Sequence, residues 1–548
     1  MALNNRWRLR EIDVLAAAAI VAISVLGLLV RRTLSPDGVA YLDLADALRR
    51  GDWEHFVQGY WSPLYPAILA AVGAITGRTA NGLVAPAHLV NVVAVSITIL
   101  VIWCWARTMT TPWFGRAAIA ALVVCSAEPP RVEALTPDLI LLCIAVCIGY
   151  EMLVHQGRRW AWLGILFGLA YFTKTSTWPW LLVAMTARIV VAPDRASRAG
   201  AAKSDLITIA LALLWIAPIS IVAGHPTFGA TARLNYRWYI QSSDARTPDT
   251  HRGEHLQYQQ VSITDSVQIR VARFDTTAQW TYQPWSDPDG WSNGIQTHRA
   301  TIPPFGLQLS YWLDTTWQTI SVWLRMLILA VLLPAAWIGR RRTIWHEFIA
   351  PPRATITVAA LGLVGMAQYI AVHAEPRLIA PFVLLFALAM LHGLFGDRDA
   401  ATDLPSTPDR LALSLLGLVA AVYLTGRRID AARGDDRRIA AGVEQLAEVN
   451  AAAFAPATGV TTGLAGAITT NAPAHPRVAV IGPVLPVLAN IFWTGGRVVA
   501  QVPPESVATL RNLPVERRSA LLHEMFSSRA DVIWITGSDG SYNIVRIP

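Results

Sequence analysis

Long apolar stretches recur along the 548-residue chain, and they constrain its fold more than any other feature. A helix needs about 20 residues to cross the roughly 30 Å hydrocarbon core of a bilayer. With 54% hydrophobic and only 15% charged residues, the sequence predicts a polytopic α-helical membrane protein of about 11 transmembrane helices. The predicted spans lie near residues 12–30, 84–104, 115–128, 137–154, 160–175, 178–193, 205–223, 319–339, 354–373, 377–396 and 409–425.

The distribution of basic residues predicts the orientation. One set of alternating short loops holds roughly twice as many arginines and lysines as the other, so by the positive-inside rule it is cytoplasmic, with the N-terminus inside. An odd number of spans then puts the first loop (31–83), the long segment 224–318 and the C-terminal tail on the outer face. The net charge of +8 belongs to this topology and does not indicate nucleic-acid binding.

The composition divides the chain into a membrane domain, residues 1–428, and a small soluble α/β domain, residues 429–548. Buried strands are predicted at 477–482, 497–502 and 531–537, with helical patterns between them. This region has no G-x-G-x-x-G fingerprint, which argues against dinucleotide binding. The segment 224–318 is polar and rich in tryptophan, which is typical of a lid or a binding surface, although interfacial anchoring also explains its last tryptophans.

The first loop contains SPDGVAYLDLADALRR, which predicts an amphipathic helix lying in the membrane interface. Tyr41 would lie on its apolar side and Asp43 on its polar side. A second short helix is predicted to start near Trp61 and Tyr65. Asp37 precedes the first of these helices, where it is either a helix N-cap or a catalytic carboxylate.

A second acidic cluster lies in EPPRVEALTPDLILL, with Arg131, Glu133 and Asp138 around the turn before the fourth span. Asp138 again has two interpretations, a helix cap or a site residue. Paired with Asp37 across one cavity, it could take a proton from a hydroxyl or hold a divalent cation.

Cationic residues occur at the same predicted face. Lys174 ends the fifth span, where snorkelling beside a helix C-terminus is the alternative explanation. Arg377 follows Pro376 at the start of a membrane helix, where the helix dipole disfavours a cation, so we expect an anionic partner such as Glu375 or a ligand phosphate. His373 is close enough in sequence to share that site.

In these residues the sequence resembles the GT-C superfamily of polyprenyl-phosphate-sugar-dependent glycosyltransferases, in particular bacterial members of the glycosyltransferase 39 and aminoarabinose-transferase type. The resemblance rests on SPDGVAYLDLADAL, GYWSPLYP, TPDLILL, GLAYFTK and EPRLIAPF. It implies that Asp37 is the catalytic base, that Asp138 assists it or binds metal, and that Lys174 and Arg377, with His373 nearby, hold the donor phosphate. Secondary candidates around this site are Arg131, Glu133, Tyr41, Asp43, Trp61 and Tyr65.

The family often has an acidic pair in the first loop, whereas here glycine follows Asp37, which leaves metal binding open. The resemblance implies inverting transfer of a sugar from a polyprenyl-phosphate donor to a lipid, glycan or protein acceptor, at the outer face of the bacterial inner membrane. No cofactor beyond a possible divalent metal is expected. The alternatives are a lipid or polysaccharide transporter, although no internal repeat is evident, and a glycan polymerase or ligase.

Overall fold

We analysed a computed structural model of the chain. Its first half is described over residues 2–31, 33–78, 81–109, 118 and 134–236. The middle of the chain is described over 258–264, 267–274, 280–288, 353–372 and 375–395, together with the single positions 306, 309, 312, 313, 316 and 317. The C-terminal part is described over 477–482, 484, 488–493, 496–511, 513, 517, 521–522, 525–526, 530–536 and 542–546.

Helices dominate the membrane part, and eight of the predicted spans coincide with them. These helices are α1 (Ala2–Leu29), α5 (Val84–Thr108), α6 (Asp138–Leu153), α7 (Trp160–Thr173), α8 (Trp178–Val191), α9 (Arg195–Ala223), α12 (Arg353–Ile370) and α13 (Pro376–Phe395). The predicted spans at 319–339 and 409–425, and nearly all of 115–128, lie outside the described residues.

Length and apolar composition identify four described helices that can cross a membrane. They cover Asn81–Thr108, Arg195–Ala223, Arg353–Ile370 and Pro376–Gly393. The apolar helices at Asp13–Leu29 and Trp160–Thr173 are shorter than a full span. A helical membrane protein is thus supported, while the number of eleven spans stays a prediction.

The first loop folds into α2 (Pro36–Arg49), α3 (Trp53–Phe56) and α4 (Leu64–Thr76). The position of α2 in the membrane interface stays a prediction, but the prediction that Asp43 lies on an exposed polar side of this helix is wrong. Leu42, Asp43 and Leu44 are all buried, because α2 packs against α4 on one side and against residues 280–288 on another. The amphipathic pattern did not indicate this burial because the covering residues lie more than 200 positions away in sequence.

Four more short helices are described: α10 (Thr231–Tyr236) and α11 (Gln283–Ser286) in the long segment, and α14 (Leu488–Trp493) and α15 (Pro504–Arg511) near the C-terminus. Asn91 and His88 on α5 fix the neighbouring loops, since Asn91 Nδ2 donates to Ala134 O at 2.8 Å and His88 Nε2 lies 2.8 Å from Thr33 O. These contacts hold the segments that lead into α2 and α6.

One mixed sheet of six strands contains residues from two distant parts of the sequence. Its strands are β1 (Tyr258–Thr264), β2 (Val267–Arg273), β3 (Arg477–Ile481), β4 (Arg497–Val502), β5 (Val532–Thr536) and β6 (Tyr542–Arg546), in the order β1-β2-β4-β3-β5-β6. The central β4, β3 and β5 are parallel, and they lie at the three predicted strand positions. The outer hairpin β1-β2 comes from the long segment and pairs antiparallel with β4, so the sheet extends beyond the predicted boundary at residue 429.

Candidate active site

Asp37 lies in the first turn of α2 and is ion-paired across the cavity. The N-cap of this helix is Ser35, whose Oγ accepts a hydrogen bond from Gly38 N at 3.2 Å. The alternative interpretation of Asp37 as the N-cap is therefore wrong. Its Oδ2 instead lies 2.6 Å from a terminal nitrogen of Arg377.

Arg377 binds two carboxylates at the start of α13. Besides Asp37, its Nε donates to Glu375 Oε2 at 2.6 Å. The expectation of an anionic partner for this cation is met by Glu375 and Asp37 together. The guanidinium is thus shared between Glu375, which directly precedes α13, and Asp37, which is 340 positions away in sequence.

Asp138 and Lys174 form the second ion pair. Asp138 is the first residue of α6, its side chain is 1% exposed, and Lys174 Nζ contacts its Oδ1. Thr136 Oγ1 donates to the other oxygen at 2.8 Å. The residue before it, Pro137, is the N-cap and makes no side-chain capping bond, so the carboxylate of Asp138 serves the ion pair rather than the helix end.

Both ion pairs face one cavity of about 170 Å³. One part of its lining is charged, and the other is built from aromatic and uncharged polar side chains. Its lining includes Asp37, Tyr41, Tyr60, Trp61, Asp138, Lys174, Asn235, Trp285, Tyr369, Glu375 and Arg377.

Three helices of substantial length begin at this cavity: α2, α6 and α13. Each of them directs the positive end of its helix dipole towards the cavity. With Lys174 and Arg377 they create a positive potential, which Asp37, Asp138 and Glu375 neutralise in the absence of another anion. The arrangement suits exchange of these carboxylates for an anionic ligand.

Steric crowding explains why glycine follows Asp37. A Cβ at position 38 would lie 2.9 Å from the Cβ of Leu135 and 2.9 Å from a methyl group of Leu34. The turn that carries Asp37 thus packs against the segment that leads to Asp138. A second acid directly after Asp37 does not fit this packing.

The other predicted residues separate into three groups. Tyr41 and Trp61 line the cavity, with their ring centroids 4.9 Å apart, whereas Tyr65 packs behind Tyr41 at 5.3 Å. Asp43 does not line the cavity. The remaining candidates, Arg131, Glu133 and His373, lie outside the described residues.

Tyr41 is held in its protonated form. Burial, together with the charges of Asp138 and Asp37, raises the pKa of its phenol well above the ordinary value. Its hydroxyl therefore enters any reaction in the cavity as a neutral hydrogen-bond donor or acceptor.

Sequence reasoning missed most of the uncharged lining. Tyr60 donates from its hydroxyl to Asn235 Oδ1 at 3.1 Å, and Ser176 Oγ lies 2.9 Å from the hydroxyl of Tyr369. Trp285 belongs to the tryptophan-rich segment, which was the only signal that pointed to it. The sequence indicated Glu375 as an anionic partner of Arg377 but not as a residue of the cavity lining.

Within the described residues, the carboxylates of the cavity contact cations and do not form a site for a divalent cation. Among the described residues, no group of three or more His, Cys, Asp or Glu side chains is arranged to hold a metal ion. Asp37 and Asp138 each contact a basic side chain, which a metal would have to displace.

Fold and cavity together define a class: a helical protein with candidate membrane spans, whose charged cavity lies where α2, α6 and α13 begin. The solved structure that carries this comparison is ArnT from Cupriavidus metallidurans bound to undecaprenyl phosphate. It matches with a TM-score of 0.53 at 13% identity, over 96% of this chain and 93% of that chain. The chain therefore has a fold similar to that of this solved ArnT, as the sequence resemblance implied, and at this identity the likeness concerns the fold alone.

Two further solved structures overlap more loosely and carry no argument. They are the apo state of the same ArnT (TM-score 0.39, 13% identity, 96% of this chain and 93% of that chain) and the oligosaccharyltransferase of Archaeoglobus fulgidus tethered with an acceptor peptide (0.41, 12%, 95% and 68%). Neither the models of protein families nor the curated proteins include a match to this chain.

Proposed function

We propose that the protein is a membrane glycosyltransferase. It moves a sugar from a polyprenyl-phosphate-linked donor to an acceptor, at the outer face of the bacterial cytoplasmic membrane. The observation that carries the proposal is the meeting of two carboxylate–cation pairs, Asp37 with Arg377 and Asp138 with Lys174, in one cavity where three helices begin. The solved ArnT with the same fold is described as bound to undecaprenyl phosphate.

The donor phosphate binds to Arg377 and Lys174. Arginine presents a planar fork of donors that matches phosphate oxygens, and lysine adds a compact positive charge. The phosphate takes over the guanidinium of Arg377 from Asp37, while Lys174 contacts the phosphate and stays paired with Asp138. The same contacts stabilise the negative charge that develops on the phosphate as it leaves the sugar.

Asp37 is the general base. In the described arrangement its Oδ2 accepts from Arg377, and the turn of the guanidinium towards the phosphate releases this oxygen. It then takes the proton of an acceptor hydroxyl or amine while the acceptor oxygen or nitrogen attacks the anomeric carbon. The bond from that carbon to the phosphate oxygen breaks, the electron pair leaves with the polyprenyl phosphate, and the anomeric configuration inverts.

Asp138 has a supporting role. Its buried carboxylate fixes the amine of Lys174, and Thr136 fixes the carboxylate in turn. A rigid cation at the leaving group costs no reorganisation during the reaction. Conversion of the acid to an amide should therefore lower turnover through Lys174.

Reconstitution of the full chain in liposomes tests the proposal. We would offer undecaprenyl-phosphate-linked mannose, arabinose and related sugars with candidate acceptors, and analyse lipids and products by mass spectrometry. We expect release of undecaprenyl phosphate with a matching mass gain on one acceptor. Movement of an intact donor across the bilayer without cleavage would instead identify a transporter and overturn the proposal.

A further inference from the structure

One buried acid of α2, Asp43, takes no part in the proposed chemistry. Its side chain is 6% exposed and accepts three hydrogen bonds. Thr281 donates from its backbone N at 3.0 Å and from its Oγ1 at 2.9 Å, and Ser286 donates from its Oγ at 2.6 Å. These hydrogen bonds stabilise the carboxylate in its buried position, because burial of a carboxylate without them would cost considerable free energy.

All three donors lie in residues 280–288, which we call the clamp segment. Two further bonds tie this segment to the first loop: Trp61 Nε1 donates to Trp285 O at 2.9 Å, and Gln58 Nε2 donates to Ser286 O at 2.8 Å. On its other side the segment contacts the sheet, where Tyr282 donates to Gln501 Oε1 at 2.8 Å. The clamp segment is therefore held between α2 and β4.

The clamp segment forms part of the cavity wall through Trp285. The Trp285 ring lies edge-on to Trp61, with centroids 5.5 Å apart, and Trp61 contacts Tyr41 in the same way. Tyr41 and Asp37 lie one helical turn apart on α2, so they share a face of that helix. A continuous line of packed rings thus connects the clamp segment to the charged part of the cavity.

We propose that Asp43 is a positioning residue that fixes the clamp segment, and with it Trp285, as the uncharged wall of the cavity. This wall faces the acceptor, since the cations at the other part of the cavity serve the donor phosphate. The assignment of the wall to the acceptor rests on the proposed function, whereas the mechanical role of Asp43 does not. Loss of the clamp should therefore weaken acceptor use and leave binding of a lipid phosphate intact.

Two substitutions of Asp43 distinguish the effect of its hydrogen bonds from the effect of its negative charge. An asparagine can accept from Thr281 N and Ser286 Oγ with its carbonyl oxygen, and its amide can donate to the hydroxyl oxygen of Thr281. Asp43→Asn should therefore keep the clamp. Asp43→Ala leaves all three donors without an acceptor, at a cost comparable to several unsatisfied buried groups.

The test uses the full chain in nanodiscs, with Asp46→Ala as the matched control, because Asp46 is a partly exposed acid on the same helix that pairs with Arg50. Hydrogen exchange of residues 280–288 is measured together with binding of undecaprenyl phosphate. For Asp43→Ala we expect exchange at least about tenfold faster than in the wild type and in Asp43→Asn, since one lost bond of this kind is worth about a factor of ten. Undecaprenyl phosphate affinity should stay within about twofold.

In the transfer assay, Asp43→Ala should raise the acceptor KM by about tenfold or more while the donor KM stays near wild type, and Asp43→Asn should restore both. Unchanged exchange in Asp43→Ala overturns the inference, as does a rise in the donor KM alone. If the wild type transfers no sugar, the proposed function fails, and the exchange measurement still decides the role of Asp43.

Discussion

At the scale of single residues, the cations of the cavity are explained by where they lie on their helices. Arg377 begins α13, where the dipole disfavours positive charge, and two carboxylates within 2.6 Å compensate for it. Lys174 follows the last turn of α7, where its charge is favourable, yet it still reaches Asp138. Both placements are typical of groups held for an anionic ligand.

Replacement of Arg377 by alanine should weaken binding of undecaprenyl phosphate. A charge-assisted hydrogen bond contributes about 1.5–3 kcal/mol, so we expect the Kd to rise by about 10- to 100-fold. Titration of the purified protein in nanodiscs measures it. Arg50→Ala is the control, since Arg50 pairs with Asp46 at 3.5 Å and does not line the cavity. Equal effects of the two substitutions would remove Arg377 from the phosphate site.

The sequence could predict these residues only in part. That Arg377 needs an acid follows from its position after Pro376, and Asp37, Asp138 and Lys174 could be singled out because charge near a membrane is costly. That Ser35 rather than Asp37 caps α2 could not be inferred, because both residue types cap helices. The burial of Asp43 was also beyond prediction, since its partners Thr281 and Ser286 are remote in sequence.

At the scale of elements, the contact between α2 and the clamp segment should depend on pH. Burial raises the pKa of Asp43 to about 6, although the hydrogen bonds from Ser286 and Thr281 oppose this shift. The nearby charges are Asp46 on the same helix, which raises this pKa further, and Arg497 on β4, which interacts with Asp43 electrostatically. In the released segment Asp43 would have its ordinary value near 3.9.

The two pKa values determine whether the clamp becomes more or less stable as the pH rises. The closed clamp binds the proton more tightly than the open one, so its extra stability is fully present below about pH 4 and is lost as the pH rises through about 6. The difference amounts to at most about 3 kcal/mol. Protection of residues 280–288, corrected for intrinsic exchange, should therefore decrease from pH 5 to pH 7. The same decrease in Asp43→Asn would assign the effect to another group.

At the scale of the whole molecule, the sheet joins two parts of the chain that composition separates. Alternation and apolar runs were enough to find β3, β4 and β5. They could not show that the hairpin β1-β2 of the long segment pairs with β4, because edge pairing leaves no local signal in either sequence. The clamp segment follows this hairpin, and so the sheet and the cavity wall are mechanically connected.

Truncation of the chain after residue 428 should therefore remove the C-terminal residues and also destabilise the hairpin β1-β2 and the clamp segment. It lacks β4, the partner of β2, and Gln501, the partner of Tyr282. We expect exchange protection of residues 267–273 and 280–288 to fall towards that of an unfolded segment, whereas Tyr282→Phe, which removes one hydrogen bond, should lower it about tenfold at most. Unchanged protection in the truncated chain would show that the C-terminal residues do not support the wall.

Asp37→Asn in the reconstituted assay decides whether Asp37 is the base of a glycosyl transfer. The amide keeps the size of the side chain and can still accept from Arg377, so the protein should fold, insert and bind undecaprenyl phosphate. Because it cannot take up the acceptor proton, turnover should fall by about 10²- to 10⁴-fold. Turnover near that of the wild type would show that Asp37 is not the base and serves only as a structural counterion of Arg377.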